Sequence, residues 1–383
     1  MDQDSGNDIQ RESKPMISED SIQSSSVYLR DEAYYFEDGN IVFLVQDRLF
    51  RVHRSLFERS STFFRTLFSL PQGDATHEGK SDEAPIACQD TVEDFQALCW
   101  AIYASPPEVY AQKNVDTIDI PKLISVVGIS HKYELSTLRD WALDIIDDFS
   151  TTYPEKLILR CRKWDRVGRI LTLAKMSKRE DLVQRIQDDW LRRITANESN
   201  AFMNALRTAE TCEELRMFHG RVYYTYLKAT NIMSAKNTGA ISIGDVGAYK
   251  DEAMAKLTDQ RRSRLCQGYW SLMLLRPRLM QAPTLEDVPA CSVHSSECTS
   301  AWQTWWRIIL TEAQRSGRNL DDPVEIMEEV QKRLPNSLAK SPGHTSLYGS
   351  YIHAPPCDAV IRAQAQQMVD SFFDSLPDRF IVS

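Results

Sequence analysis

Residues 41–68 read Ile-Val-Phe-Leu-Val-Gln-Asp-Arg-Leu-Phe-Arg-Val-His-Arg-Ser-Leu-Phe-Glu-Arg-Ser-Ser-Thr-Phe-Phe-Arg-Thr-Leu-Phe, and this stretch decides the fold. Five consecutive apolar residues from Ile41 to Val45 predict a strand buried on both faces. Gln46-Asp47 supplies a tight turn. Leu49-Phe50-Arg51-Val52 then alternates with period two, so the two runs predict a β-hairpin. From His53 to Phe68 the period becomes helical, with Leu56, Phe57, Phe63, Phe64, Leu67 and Phe68 apolar.

Outward from this stretch, Tyr34-Tyr35-Phe36 leads into an Asp38-Gly39 turn. Residues 1–30 are rich in Ser, Asp, Gln and Glu and are expected to be disordered. Downstream, Pro71 to Pro85 reads as a polar loop and Pro85-Ile86-Ala87-Cys88 as a short strand. Thr91 with Asp94 resembles a capping box for a helix carrying Phe95, Leu98, Cys99, Ile102 and Tyr103. Ser105-Pro106-Pro107 ends that helix. Leu123, Ile124, Val126 and Val127 mark a second helix ending near Tyr133. Ser136 is expected to cap a third, with Leu138, Trp141, Ala142, Ile145, Ile146 and Phe149 inside. Short strands, helices and a closing helix pair predict an α+β domain over residues 31–150.

From residue 152 to 383 the periodicity is helical throughout, so an all-α C-terminal region is expected, with a split near 235–250. Thr211 with Glu214 reads as a second capping box. Asp251 to Leu275 reads as one long helix stopped by Pro277. Trp302, Trp305 and Trp306 share one helical face, and Asp322-Pro323 opens another helix. No repeat of fixed period occurs.

The order and spacing of the first domain resemble a BTB/POZ domain. The carriers are the strand pair, then Phe50-Arg51-Val52-His53-Arg54-Ser55-Leu56, then Ser60-Ser61 with Phe63-Phe64 and Leu67-Phe68. Phe95-Gln96-Ala97-Leu98 with Ile102-Tyr103 matches the family's central helix. His131-Lys132-Tyr133-Glu134-Leu135 and Leu138-Arg139-Asp140-Trp141-Ala142 match its closing helices. The Asp38-Gly39 lead-in, Pro106-Pro107 and a helical tail look most like BTB proteins of fungi. The resemblance implies a BTB/POZ fold, a small sheet flanked by a helical cluster, and a non-enzymatic adaptor. Such a protein homodimerises or recruits other proteins. The implied interface is the first helix and its lead-in: Val52, His53, Arg54, Leu56, Phe57, Phe63 and Phe64. Residues Val27 to Phe36 would supply any preceding strand. Two alternatives are a substrate receptor for a cullin ligase and a transcription regulator. One departure concerns the charged pocket of DNA-binding members: Asn40 stands where they carry Asp, while Arg54 is retained. Arg54 is therefore expected to be exposed or to pair elsewhere.

Composition narrows the classes further. Lys plus Arg number 45 and Asp plus Glu 54 in 383 residues, a net charge of −9 that argues against wholesale nucleic-acid or anionic-membrane coating. No run approaches a membrane span, and the first 30 residues carry no apolar signal-type stretch. The expected location is cytoplasm or nucleus, with reduced thiols. Charge is uneven: residues 31–150 hold 10 basic and 21 acidic residues, and residues 155–193 hold 12 basic and 6 acidic. The transcription-regulator alternative would use that basic face, through Arg160, Arg162, Lys163, Arg166 and Arg169. The plainer reading is a solvated face, or one docked on the acidic domain; nucleic acid is not an expected partner.

Cys291, His294 and Cys298 form the one metal-like cluster, completed by His353 or Cys357 if a structural zinc is bound. Its spacing matches no standard finger, so ordinary thiols are the default and no cofactor is expected. His53 is read as a core or capping residue. Gly239, Gly244 and Gly247 lack the phosphate-loop Lys-Ser/Thr.

Overall fold

The computed structural model describes residues 28–70, 78–230, 255–286, 294–334 and 355–381. The hairpin forms where the alternation places it. Strands β2 (Ile41–Val45) and β3 (Arg48–Val52) pair antiparallel, with Phe43 opposite Phe50. Gln46 adopts a left-handed φ of 56° in the turn, a conformation that polar residues tolerate better than β-branched ones. β1 (Leu29–Tyr35) adds parallel to β3 and β4 (Ile86–Cys88) parallel to β2, giving the order β1-β3-β2-β4. Leu29 and Arg30 are thus part of a strand, not of a disordered leader; residues 1–27 lie outside the described residues. The buried Asp31 carboxylate accepts from the Ala33 and Tyr34 backbone N–H groups at 3.1 and 2.9 Å and from Gln96 at 2.8 Å, fixing the irregularity in β1.

The helical stretch after His53 divides into α1 (Arg54–Ser60) and α2 (Thr62–Ser69). Ser61 makes the break. It is extended, its hydroxyl accepts from the Phe64 N–H at 3.3 Å, and it donates to the Tyr133 carbonyl at 2.6 Å. Then come α3 (Val92–Tyr103), α4 (Pro106–Ala111), α5 (Ile120–Lys132) and α6 (Ser136–Thr152). Thr91 caps α3 through the Asp94 N–H at 3.1 Å. The prolines expected only to stop α3 also start α4, where Ser105 and Glu108 form a capping box. Ser136 is the first residue of α6 and not its cap; Leu135 holds that position without a side-chain bond.

Beyond Thr152 all described elements are helical. They are α7 (Leu157–Cys161), α8 (Trp164–Met176), α9 (Glu180–Thr195), α10 (Ala201–Glu210), α11 (Arg216–Ala229) and α12 (Asp259–Leu279). After them follow α13 (Thr299–Arg315), α14 (Pro323–Arg333), α15 (Pro355–Asp374) and α16 (Leu376–Phe380). Two expectations fail locally. α12 runs through Pro277, whose missing N–H falls on an exposed turn near the helix end. Thr211 and Glu214 make no capping box: Thr211 ends α10 by donating to the Thr208 carbonyl at 2.9 Å, and Glu214 accepts from the Cys212 thiol at 3.0 Å. The expected split near 235–250, with Gly239, Gly244 and Gly247, lies outside the described residues.

The architecture is α+β, a small four-stranded sheet in a largely helical chain. One apolar cluster packs Phe43, Phe50, Phe57, Phe64 and Phe95 between the sheet and its helices. A second runs without a break from Trp100 and Ile124 through Phe149 and Trp190 to Trp306 and Phe380. α5 serves both, with Ile129 in the first and Leu123 and Val127 in the second. The sheet-bearing segment and the helical tail therefore share one core across residue 152. Among the described residues, no helix is long and apolar enough to cross a membrane.

Candidate interaction surface and clefts

The seven residues expected at an interface divide by direction. Val52, Phe57 and Phe64 are fully buried and belong to the core, which corrects their assignment to a contact surface. Phe43 explains why: its ring meets Phe57 at 5.7 Å and Phe64 at 6.0 Å, beneath the sheet. What reaches the surface of α1 and α2 is half-buried Leu56, Phe63 at 38% exposure and Leu70 at 57%, beside exposed Arg59 and Arg65.

His53 joins three elements. Its backbone N–H donates to the Tyr103 hydroxyl at 2.8 Å, Nδ1 meets the same oxygen at 2.9 Å, and Nε2 faces the Asp38 carboxylate at 3.2 Å. The hydrogen bond from His53 holds the Asp38 carboxyl below its usual range. The arrangement straps the Asp38 turn and the start of α1 to the end of α3. Arg54 is exposed, as expected. Its backbone N–H donates to Asn40 Oδ1 at 2.8 Å, while its guanidinium pairs with Glu58 at 2.7 Å and lies 5.2 Å over the Phe68 ring.

The basic segment turns inward. Arg169 donates to both oxygens of Asp94 at 2.7 and 2.9 Å, and Arg166 meets Glu93 at 2.7 Å, so α8 is tied to the start of α3. Arg160 donates to the Val115 carbonyl at 3.0 Å, Arg179 pairs with Asp144, and Arg185 with Asp147. Arg162 and Lys163 remain exposed. Four arginines of this segment, Arg166, Arg169, Arg179 and Arg185, thus pair with carboxylates of the acidic segment of the same chain, in line with the plainer reading of a docked face. Arg169 also fills the space over Gly128 in α5, where a Cβ would stand 2.2 Å from its Nη2. Arg169→Ala is expected to lower stability by about 1–2 kcal/mol, the value of charged hydrogen bonds reduced for a pair that water partly reaches. A thermal-unfolding double-mutant cycle with Asp94→Ala checks it; additive losses would mean that the two side chains do not couple.

The metal-like cluster is not brought together by the described residues. Cys298 is buried at the start of α13, at the end of a single π-helical turn, His294–Cys298. Cys291, His353 and the side chains of His294 and Cys357 lie outside the described residues. Among the described residues, no three His, Cys, Asp or Glu side chains form a group that could hold a metal ion. Trp302 and Trp306 are core residues whose indole N–H groups donate to the Pro283 and Leu279 carbonyls at 2.8 and 2.9 Å, tying α13 to the end of α12.

Two of the clefts formed by the described residues bring titratable side chains of different elements together. One of about 430 Å³ lies where β1, α3 and α5 meet the tail, and its walls include Tyr34, Gln96, Trp100, Lys122 and Arg166. The other, about 800 Å³, opens between α10, α11 and α12 and includes Cys212, His219, Glu210, Arg261 and Arg264. None of these five was singled out in the sequence. Four of them come from three helices and Cys212 from the turn after α10, and no local spacing links the three helices. Cysteine and histidine in one cleft invite a nucleophile reading, but the protonation states oppose it. Burial, and then the bond to Glu214, push the Cys212 thiol up, and burial pushes His219 down to about 4. A nucleophilic cysteine needs a lowered thiol pKa and a basic partner. Burial likewise pushes Cys88 to about 11 and Cys161 to about 12.

In comparison with known proteins, no family model and no curated protein matches the chain.

Proposed function

We propose that the sheet-bearing segment is a BTB/POZ-type interaction module and that the chain is a non-enzymatic adaptor. It pairs with a second copy of itself through the α1–α2 surface. The observation that carries this reading is the order of elements. A β-hairpin is followed by the α1–α2 pair, a short β4 completing the sheet, and then α3, α5 and α6. They occur at the positions of the Val52-His53-Arg54 and Phe63-Phe64 motifs. Leu56, Phe63 and Leu70 remain beside them as apolar surface. Isologous pairing removes such surface from water at roughly 25 cal/mol per Å². The raised thiol pKa values of Cys88, Cys161 and Cys212 speak against nucleophilic chemistry at these three cysteines.

The cullin-receptor alternative has less support, because α8 occupies the α3 end that carries Glu93 and Asp94. The transcription-regulator alternative has less support because three of the five basic residues it would use, Arg160, Arg166 and Arg169, are engaged within the chain. Light scattering on the full chain is expected to give a dimer at micromolar concentration. Phe63→Asp with Leu70→Asp is expected to give a monomer with an unchanged circular-dichroism spectrum. A monomeric wild type would overturn the pairing, and a dimeric double variant would overturn this surface.

A further inference from the structure

Three helix ends meet at the larger cleft. The C-terminus of α10 brings Glu210, the first turn of α11 brings Arg216 and His219, and the start of α12 brings Thr258, Arg261 and Arg264. About 800 Å³ is within the ordinary range of small-molecule sites. Three guanidinium groups face the carboxylates of Glu210 and Glu213 on these walls. Glu213 is exposed and therefore screened. Glu210 takes Arg261 with both oxygens, Nε at 2.9 Å. Arg264 reaches the same carboxylate only at 3.8 Å, beyond hydrogen-bond length. Arg216 pairs with Asp378 at the rim.

Two further features point the same way. α12 is a 21-residue helix whose first turn lines this space through Thr258, Gln260 and Arg261. The Thr258 hydroxyl accepts from the Arg261 N–H and its carbonyl from the Arg262 N–H, which leaves the Asp259 and Gln260 N–H groups at the positive end of the helix for a ligand. His219 lies in the wall, nine-tenths buried, and its Nε2 has no hydrogen-bond partner. A buried polar atom left in that condition is uncommon and costly.

We propose that this cleft binds a small organic phosphate, held by Arg264, Arg261 and the first turn of α12. A guanidinium presents donors in a planar fork that matches phosphate oxygens, and a helix N-terminus adds backbone donors. Glu210 competes for the same arginines. Its removal therefore strengthens binding, whereas removal of Arg264 weakens it. A purely structural ion-pair cluster would not give these opposite signs.

Calorimetric titration of the full chain with pyrophosphate, ATP and citrate at low salt tests the assignment. Pyrophosphate or ATP is expected to bind saturably and more tightly than citrate. Arg264→Gln is expected to weaken that binding about tenfold or more, the value of a charged hydrogen bond. Glu210→Gln is expected to tighten it, and Arg278→Gln, exposed at the far end of α12, to leave it unchanged. No saturable phosphate binding would overturn the proposal. So would a folded Arg264→Gln protein that binds like the wild type, or citrate binding as tightly as the phosphates.

Discussion

Gly268→Ala is expected to destabilise the chain by about 2–3 kcal/mol, because the overpacking it causes outweighs the gain of up to about 1 kcal/mol from helix propensity. Gly268 lies inside α12, and a Cβ there would stand 1.9 Å from Cδ1 of Phe380. The ring cannot retreat. Phe380 is fully buried, and Tyr223 of α11 stacks on it with centroids 5.5 Å apart and planes 5° from parallel. Gly220 of α11 meets the same short helix, where a Cβ would stand 2.7 Å from the Pro377 Cα. Two helices thus hold α16 through bare backbone, and Gly220→Ala is expected to act in the same direction. Gly317 gives the contrast. Its φ of 76° disfavours a side chain, but nothing lies within 4 Å, so Gly317→Ala strains only the backbone, by about 1–2 kcal/mol. Thermal unfolding of the full chain measures all three. Phe380→Ala alone opens a cavity, and adding Gly268→Ala to it is expected to cost much less than the sum, since the methyl then has room. An unchanged or raised melting temperature for Gly268→Ala would mean that α16 does not pack here.

The local part of this fold was legible because local pattern causes it. Five apolar residues, a two-residue turn and a period-two run leave few choices for residues 41–52, and the hairpin follows. The division at Ser61 was missed because the apolar spacing continues through Ser60-Ser61, although serine is a strong cap residue. Adjacent Phe63 and Phe64 show the limit for the candidate surface. The pattern marks both as apolar, but only the position of Phe43 beneath α2 makes Phe64 core and leaves Phe63 at the surface. The basic character of residues 155–193 was visible, but its partners were not. Asp94 lies 75 residues from Arg169, and only the packing of α8 on α3 and α5 joins them. The phosphate cleft shows the same limit. Glu210 and Arg261 are 51 residues apart on helices that meet only in the folded tail, so no motif announces them.

The tail also carries two buried titrating groups whose effects on stability oppose each other. Asp322 opens α14. Its Oδ1 accepts from the Val324 N–H at 2.9 Å and its Oδ2 from the Tyr224 hydroxyl at 2.7 Å. Burial pushes its carboxyl from 3.8 up to about 6, helped by Glu325 and opposed by the Tyr224 and Val324 bonds and by Lys228. As pH rises from 4 to 6 the unfolded chain releases this proton while the folded chain keeps it. Stability falls over that window by about 3 kcal/mol and is flat above it. His219 behaves inversely. Burial, with Arg264, Arg261 and Arg216 against Glu210, lowers it from 6.5 to about 4. Its contribution is complete above pH 6.5 and declines by about 3 kcal/mol as pH falls towards 4, because the unfolded chain takes the proton first. In the wild type the two slopes largely cancel between pH 4 and 6. Asp322→Asn keeps an acceptor for Val324 and offers its amide to the Tyr224 oxygen, so the packing survives. Its stability is expected to drop steeply below pH 6.5, with His219 unopposed. His219→Gln is expected to do the reverse, becoming more stable than the wild type on acidification. Melting temperatures at pH 4.5 and 7 for the three proteins decide it. The remaining carboxylates are common to all of them, so the differences isolate these two groups. Parallel profiles would mean that neither group titrates as its burial requires.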